Sequence, residues 1–189
     1  MRSHPSTIDI DNIPHTKAFF MKSPLLAMAA VCAFAHVGYA EELKIEGVGI
    51  RRDIPCNGQD VGVYGAENKI TLTGECGRIV VHGSDHKVSL ERGTDLSVSG
   101  ADNAVTGGTV SSLNVQIAKN TVAVTIQPTE GKGRVDVSGA EQKLNLVLAT
   151  PAELKVIGAD QKVEWSLASG APEPSISSSG VNNSIQKKK

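Results

Sequence analysis

Large aromatic side chains are scarce in this sequence of 189 residues, which has three Phe, two Tyr and one Trp. All three Phe lie before residue 35, and from residue 41 onward only Tyr64 and Trp165 remain. Aromatic side chains usually contribute much of the energy of a globular core. A core of Val, Leu and Ile alone favours a narrow, layered interior, and the scarcity of rings argues against a sugar-binding face built on aromatic platforms.

An excess of charge of either sign is also lacking, because 19 basic residues are balanced by 20 acidic ones and the formal net charge is −1. A strong positive field is what draws a protein to nucleic acid or to an anionic membrane surface. The charge balance therefore predicts no nucleic-acid partner.

Familiar catalytic motifs are missing as well. The sequence has no Gly-x-Ser-x-Gly nucleophile elbow, no phosphate-binding glycine loop and no His-Glu-x-x-His zinc motif. Ser, His and Asp are present, but not at spacings that predict their convergence in one site. We expect a protein that is not an enzyme and that uses no cofactor.

The one long apolar run, from Leu25 to Val37, indicates a signal peptide over residues 21–40. A single positive charge at Lys22 precedes the run, and Gly38-Tyr39-Ala40 provides the small residues that signal peptidase requires before Glu41. The run is too short to cross a bilayer as a helix. Residues 1–20 are a poor amino-terminal region for such a peptide and are interpreted as an over-extended N-terminus.

Cleavage after Ala40 would leave residues 41–189 as a single domain, exported to the periplasm or secreted, with no membrane insertion. Two alternatives stay open at this point. The run could remain uncleaved as an anchor, or Cys32 could be lipid-modified, although Val31 is an unusual residue before a modified cysteine.

A repeated frame organises the rest of the chain. Residues Val61 to Leu72 read apolar, any, apolar, any, Gly, two residues, Asn, any, apolar, any, apolar, and the frame recurs at intervals of 17 to 22 residues up to Asn183. In one copy Ile117 stands where the others have Gly. A period of this length is typical of a solenoid.

The fold predicted from this frame is all-β: a single-domain, parallel β-helix-like solenoid of about seven to eight short coils of 17–22 residues. The period-2 alternation indicates short strands with one buried face, and a repeat that cannot bury that face alone must stack on its neighbours. Residues 41–59 form an atypical first coil, and Ser177 to Ser179 make the last coil polar. The alternative is an antiparallel β meander or sandwich.

A structural ladder follows from the parity of the frame. Counting in steps of two from the apolar residues places both the Gly and the Asn of each frame on inward registers beside a corner, with the Gly at positive φ. Stacked coils would then align the polar residues at the Asn position, which are Asn68, His86, Asn103, Asn120, Gln142, Gln161 and Asn183. The alternative function for this row is a polar binding groove.

Cys56 and Cys76 are predicted to form a disulfide. They are the only cysteines after residue 40, and they lie 20 positions apart, about one coil. A redox-active pair would need a motif such as Cys-x-x-Cys, and a metal site with His82 and His86 is a further alternative that an exported protein makes less attractive.

Acidic residues precede the ladder position in five frames, so that stacked carboxylates would repel unless a cation such as Ca²⁺ were bound. A lysine two positions later in four of the five frames offers local neutralisation instead, and no metal site is predicted. The acidic positions are Glu67, Asp85, Asp102, Glu141 and Asp160, and the lysines are Lys69, Lys87, Lys143 and Lys162.

The repeats of the type Val-x-Val-x-Gly-x-x-Asn-x-Val, together with Cys56-Asn57-Gly58-Gln59 and the segment Thr71 to Cys76, resemble the bacterial secreted family known as domain of unknown function 3060. The resemblance is strongest from Cys56 to Val124. It implies a secreted or envelope-associated repeat module and no known activity.

The expected function is therefore that of a non-catalytic exported repeat protein of the periplasm or cell envelope, with a structural or protein-binding role. Its partner would be an unidentified envelope protein or surface, contacted by the flat faces or by the long loops Gln127–Gly133 and Ser169–Pro174. The alternatives are a carbohydrate-binding or carbohydrate-active solenoid, and a protein that binds a cation or small ligand.

Overall fold

The structure, a computed structural model, describes residues 41–188, and these form fourteen β-strands and no helix. The predicted signal peptide and the predicted over-extended N-terminus lie outside the described residues. No helix of this part of the chain has the length and hydropathy needed to span a bilayer. The strands are β1 Leu43–Val48, β2 Arg51–Asn57, β3 Val61–Ala66, β4 Lys69–Glu75, β5 Ile79–Ser84, β6 Lys87–Ala101, β7 Ala104–Ala118, β8 Thr121–Ile126, β9 Gly133–Ala140, β10 Lys143–Leu148, β11 Ala152–Ala159, β12 Lys162–Leu167, β13 Ser175–Val181 and β14 Ser184–Lys187.

Every strand pairing among these residues is parallel, and each joins equivalent segments of consecutive coils. β3 pairs with β5, for example, so that Val63 lies beside Val81 and Gly65 beside Gly83. The chain thus winds as a β-solenoid of about eight turns, as the repeated frame predicts. The antiparallel meander is wrong, because a meander would pair each strand with the next one along the chain in the opposite direction.

The interior consists of stacked aliphatic side chains. Each interior coil contributes two residues before its corner and up to three after it, and nearly all of them are less than 6% exposed. Val63, Val81 and Val98, one from each of three successive coils, are fully buried in one row. Burial of an aliphatic side chain stabilises a fold by roughly 1.5–3 kcal/mol, so these rows supply the main stabilising energy. Branched residues suit a cavity this narrow, which explains the scarcity of rings.

The ends and loops of the solenoid follow the predicted pattern. The first coil buries Ile45 and Ile54 but exposes Arg51 and Arg52, whereas every residue of β13 in the last coil is exposed. The segments after β8 and after β12 leave the strand path as loops that contain Pro128, Pro172 and Pro174. Proline cannot donate a hydrogen bond to a sheet, which suits these positions.

The disulfide between Cys56 and Cys76 is confirmed. Cys56 ends the inward row of β2 in the first coil, and Cys76 follows β4 in the second, with their Cα atoms 4.8 Å apart. Both cysteines are buried. The bond therefore joins the first two coils of the described solenoid.

Coil four contains an irregularity that the frame does not predict. Gly107 takes the register of Leu90, and the pairing of β7 with β8 shifts between Thr106 and Thr109. Val110 is then fully buried. The bulge returns the chain to the inward register at Val110, so the core continues. Gly107 and Gly108 lie in the bulge, and because they have no side chains, the outer surface has a gap there.

Ile117 is a strained residue in this fold. It takes the register of Gly100 and has a φ of 80°, a conformation that a β-branched side chain strongly disfavours. Pairing of β7 with β9 is also interrupted here, since it runs to Val115 and resumes only at Ala118. The side chain is 54% exposed and so gains little from burial.

Replacement Ile117→Gly is therefore expected to stabilise the protein by about 1 kcal/mol, because the release of roughly 1–3 kcal/mol of backbone strain exceeds the entropic cost of glycine. Urea denaturation of the two proteins measures the difference. The matched control is Ile157→Gly, which removes an Ile of similar exposure (41%) from an ordinary strand position and should destabilise. A loss of stability in Ile117→Gly would contradict the conclusion that the backbone of Ile117 is strained.

Candidate functional site

The most elaborate polar arrangement in the structure lies at the corner that follows the first strand of each coil. In most coils the chain turns there through a Gly at positive φ, a small residue, and a residue in the left-handed region before the ladder position; Ile117 replaces the Gly in the fifth coil and Val181 the small residue in the last. In the fourth coil these are Gly100 at 107°, Ala101, and Asp102 at 58°, followed by Asn103. The equivalent left-handed residues of the other frames, including Glu67, Lys119 and Glu141, have φ between 55° and 58°.

The corner glycines are not on an inward register, and that prediction is wrong. They are exposed or half-exposed, and a Cβ atom on Gly100 would point along the stacking direction, 1.9 Å from the carbonyl oxygen of Gly83 in the preceding coil. The other corner glycines are equally close to their predecessors. Positive φ, which was expected, is present. Glycine is therefore favoured both by φ and by the carbonyl beside it, and Ile117, at the same position of the fifth coil, is strained.

The structure brings the seven ladder residues together in one row. Six of them are no more than 1% exposed, and Asn183, in the last coil, is half-buried. His82, four residues before His86, faces outward and is exposed. The row therefore lines one edge of the interior rather than the surface.

Asn103 makes one of the largest sets of hydrogen bonds in the row. Its side-chain oxygen accepts the backbone N–H of His86 in the coil before, at 3.0 Å. Its side-chain nitrogen donates to the carbonyl oxygens of Gly83 (3.0 Å) and Ser99 (3.3 Å) and to Oδ1 of Asn120 (3.0 Å). Its own backbone N–H donates to Asn120 Oδ1 in the coil after, at 3.1 Å.

This pattern repeats along the row and connects the coils into one chain of bonds. It begins with the N–H of Ile50, which donates to Asn68 Oδ1, and ends with the N–H of Gln161, which donates to Asn183 Oδ1. Buried backbone groups at a corner have no strand partner and are costly if left without one. The ladder side chains satisfy them, so their polar atoms serve the fold and not a ligand.

His86 takes part in the row as a neutral imidazole with one proton position. Nδ1 accepts the backbone N–H of Asn68 at 3.2 Å, so the proton must be on Nε2, which lies 3.2 Å from the carbonyl oxygen of His82 and donates to it. Burial lowers the pKa of His86 and outweighs the opposing influence of the His82 and Gly65 carbonyls and the Asp85 carboxylate. A second proton on Nδ1 would also face a donor.

The acidic residues before the ladder lie exposed on the outside of the corner, and Lys119 takes their place in the fifth coil. No group of three or more His, Cys, Asp or Glu side chains within residues 41–188 is arranged to hold a metal ion. The exposed lysines two positions later run alongside the carboxylates, as expected for a solvated charged edge.

A second polar cluster, which the sequence analysis missed, lies on the outward face of β3, β5 and β6. The ring of Tyr64 covers Gly62, since a Cβ there would be 2.3 Å from Tyr64 Cε2. Its hydroxyl donates to Glu42 Oε1 at 2.8 Å, and burial and this bond raise the pKa of Tyr64. His82 Nδ1 lies 2.8 Å from Ser99 Oγ. The sequence signal for this cluster is Gly62, two residues before Tyr64, because glycine leaves room for an aromatic ring to cover the strand.

Part of the chain is similar to a described family. Residues 63–117 match the family model described as Protein of unknown function (DUF3060). The resemblance to domain of unknown function 3060 is thereby confirmed for these residues, which include three of the ladder positions. No curated protein and no solved structure matches the chain.

Replacement Asn103→Ala is expected to destabilise the protein by about 1–3 kcal/mol or more, because it leaves the buried N–H of His86 and the carbonyl of Gly83 without partners. Asn103→Asp should cost more, since it places a charge among buried groups. Urea denaturation provides the values. The matched control is Asp102→Asn, one residue away on the exposed corner, because Asn adopts the left-handed conformation readily. A control that lost as much stability as Asn103→Ala would refute the buried ladder.

The free energy of unfolding should fall as the pH drops below about 6.5, the ordinary pKa of the unfolded His86. The pKa of His86 is lowered in the folded protein, so the unfolded state binds the proton first as the pH falls. The contribution of the neutral His86 to stability is therefore complete above about pH 6.5 and is lost below it. Because neighbouring ladder positions carry Asn, the variant His86→Asn should fold. Its free energy of unfolding should change less between pH 7 and 5 than that of the native protein, although His82 is present in both. Identical profiles for the two proteins would contradict this account.

Proposed function

We propose that the chain is a non-catalytic exported protein of the periplasm or cell envelope that acts as a rigid, protein-binding module. The observation that carries the proposal is the ladder, because its polar side chains are hydrogen-bonded to the backbone of the corners. They therefore hold the coils rigidly together and are not available to a ligand. The buried disulfide supports an oxidising compartment. A stiff rod of parallel coils presents fixed flat faces, which suits the display of a binding surface.

The outward face of β7, β8 and β10 is the best candidate for that surface. An open groove of about 450 Å3 lies where Gly107 and Gly108 lack side chains. Ala123, Thr125 and Val147 line it, and Val147 is 39% exposed. A rigid groove with an apolar floor and polar rim can accept one or two apolar side chains of an extended peptide segment.

The test is photo-crosslinking in cells that export the full chain. A crosslinking residue at Thr125 should give one defined protein adduct, and the purified protein should have the mass of a chain that begins at Glu41. Val147→Asp should abolish the adduct without loss of export. The matched control places the crosslinker at Lys155, on the outward register of another face. Equal adducts from both faces, or none from Thr125, would reject this surface.

A carbohydrate-binding role is the second candidate, and Tyr64 is the observation that favours it. The ring covers Gly62, is held by Glu42 and lies near the ring of His82, so it could stack against a sugar ring. Binding of a glycan array by the native protein but not by Tyr64→Ala would support this candidate. An array without any bound glycan would remove it.

A further inference from the structure

The two ends of the solenoid expose strand edges that have the same frame. Within residues 41–188, β1 and β2 pair only with the coil that follows them, and β13 and β14 only with the coil that precedes them. An unpaired strand edge is a template for another chain. Since equivalent residues of successive coils stack in register, a second copy could continue the solenoid, with its first coil on the last coil of its neighbour.

The first arm of such a junction is compatible with stacking. Continuing the register of the interior coils would place Leu43 of one copy on Ile176 of the other, and Gly47 on Gly180. It would also bring together Val48 and Val181, which are the most exposed large apolar residues of the described chain, at 71% and 64%. Ile45 of one copy would face Ser178 of the other, and no charged residue of β1 or β13 takes an inward register.

The second arm opposes it through two cations on inward registers. Arg52 has the register of Ile70, and Lys187 has that of Trp165, both of which are core residues. At the end of the rod these cations reach water, and Lys187 is held by Glu173 and lies with its Nζ 5.4 Å from the centre of the Trp165 ring.

Stacking of a second copy would enclose both cations. The same continued register places Arg52 of one copy on Ile185 of the other, and Lys187 on Ile54, so each charge would enter an aliphatic row. Enclosing these charges, Arg52 alone and Lys187 together with the Glu173 carboxylate that holds it, costs more free energy than the new backbone hydrogen bonds contribute. We propose that Arg52 and Lys187 are a pair of gatekeepers that keep the ends of this solenoid from stacking on a second copy of the same chain.

The test compares two double variants of the full chain with equal loss of charge. Arg52→Ile with Lys187→Leu completes the inward rows, and this protein should form head-to-tail oligomers that lengthen with concentration, as open-ended contacts do. Arg51→Ile with Lys188→Leu removes the same charges one residue away, on outward registers. That control and the native protein should sediment as monomers at every concentration.

The single variants Arg52→Ile and Lys187→Leu distinguish a specific junction from non-specific association. They also test the proposal if the double variant does not fold. Each alone keeps one cation at every junction and should stay monomeric. A mixture of Arg52→Ile with Lys187→Leu has one junction without either cation, so it should give a one-to-one dimer and nothing longer. The proposal is overturned if the native protein stacks, if the outward control assembles like the inward variant, or if folded inward variants and the mixture stay monomeric.

Discussion

The solenoid depends on a solution to one physical problem, which is the pairing of backbone polar groups at a buried corner. A coil of about 17 residues must turn sharply, and the N–H and C=O groups at the turn leave the strand ladder just where they are shielded from water. Each unpaired group would cost about 1–3 kcal/mol. One inward polar side chain per frame accepts an N–H of the preceding coil, and most of them also donate to a carbonyl there, as Asn103 does for His86 and Gly83.

Other features of the corner follow from that arrangement. The Asn side chain needs the Gly carbonyl of the coil before, and that carbonyl occupies the space of any Cβ on the next glycine. Glycine is thus selected by its neighbour in the stack as much as by its own φ. Gln161 fills the same role with a longer side chain. Gln142 and His86 also accept an N–H of the coil before, but they donate to a carbonyl of their own coil, and the ring of His86 must stay neutral to do so. The result is a rod whose coils are coupled along one edge.

Much of this could be predicted from the sequence because the strands have period 2. Parity alone placed Asn103 inside, and the spacing of Cys56 and Cys76 placed them in adjacent coils. Features that depend on contacts along the stacking direction could not be predicted, because the alternation within one coil does not show which atoms of the next coil lie beside it. They include the carbonyl beside Gly100, the bulge at Gly107, and the left-handed conformation of Glu67, a residue type that seldom adopts it.

Native-state hydrogen exchange of the corner amides tests the central claim most directly. The backbone N–H groups of Asn68, His86 and Asn103 each donate to the side chain of the next ladder residue, so they should exchange as slowly as core strand amides. The amide of Asn183, which has no such acceptor within residues 41–188, should exchange fast. Exchange of the first three at the rate of an exposed loop amide such as Gly131 would contradict the ladder.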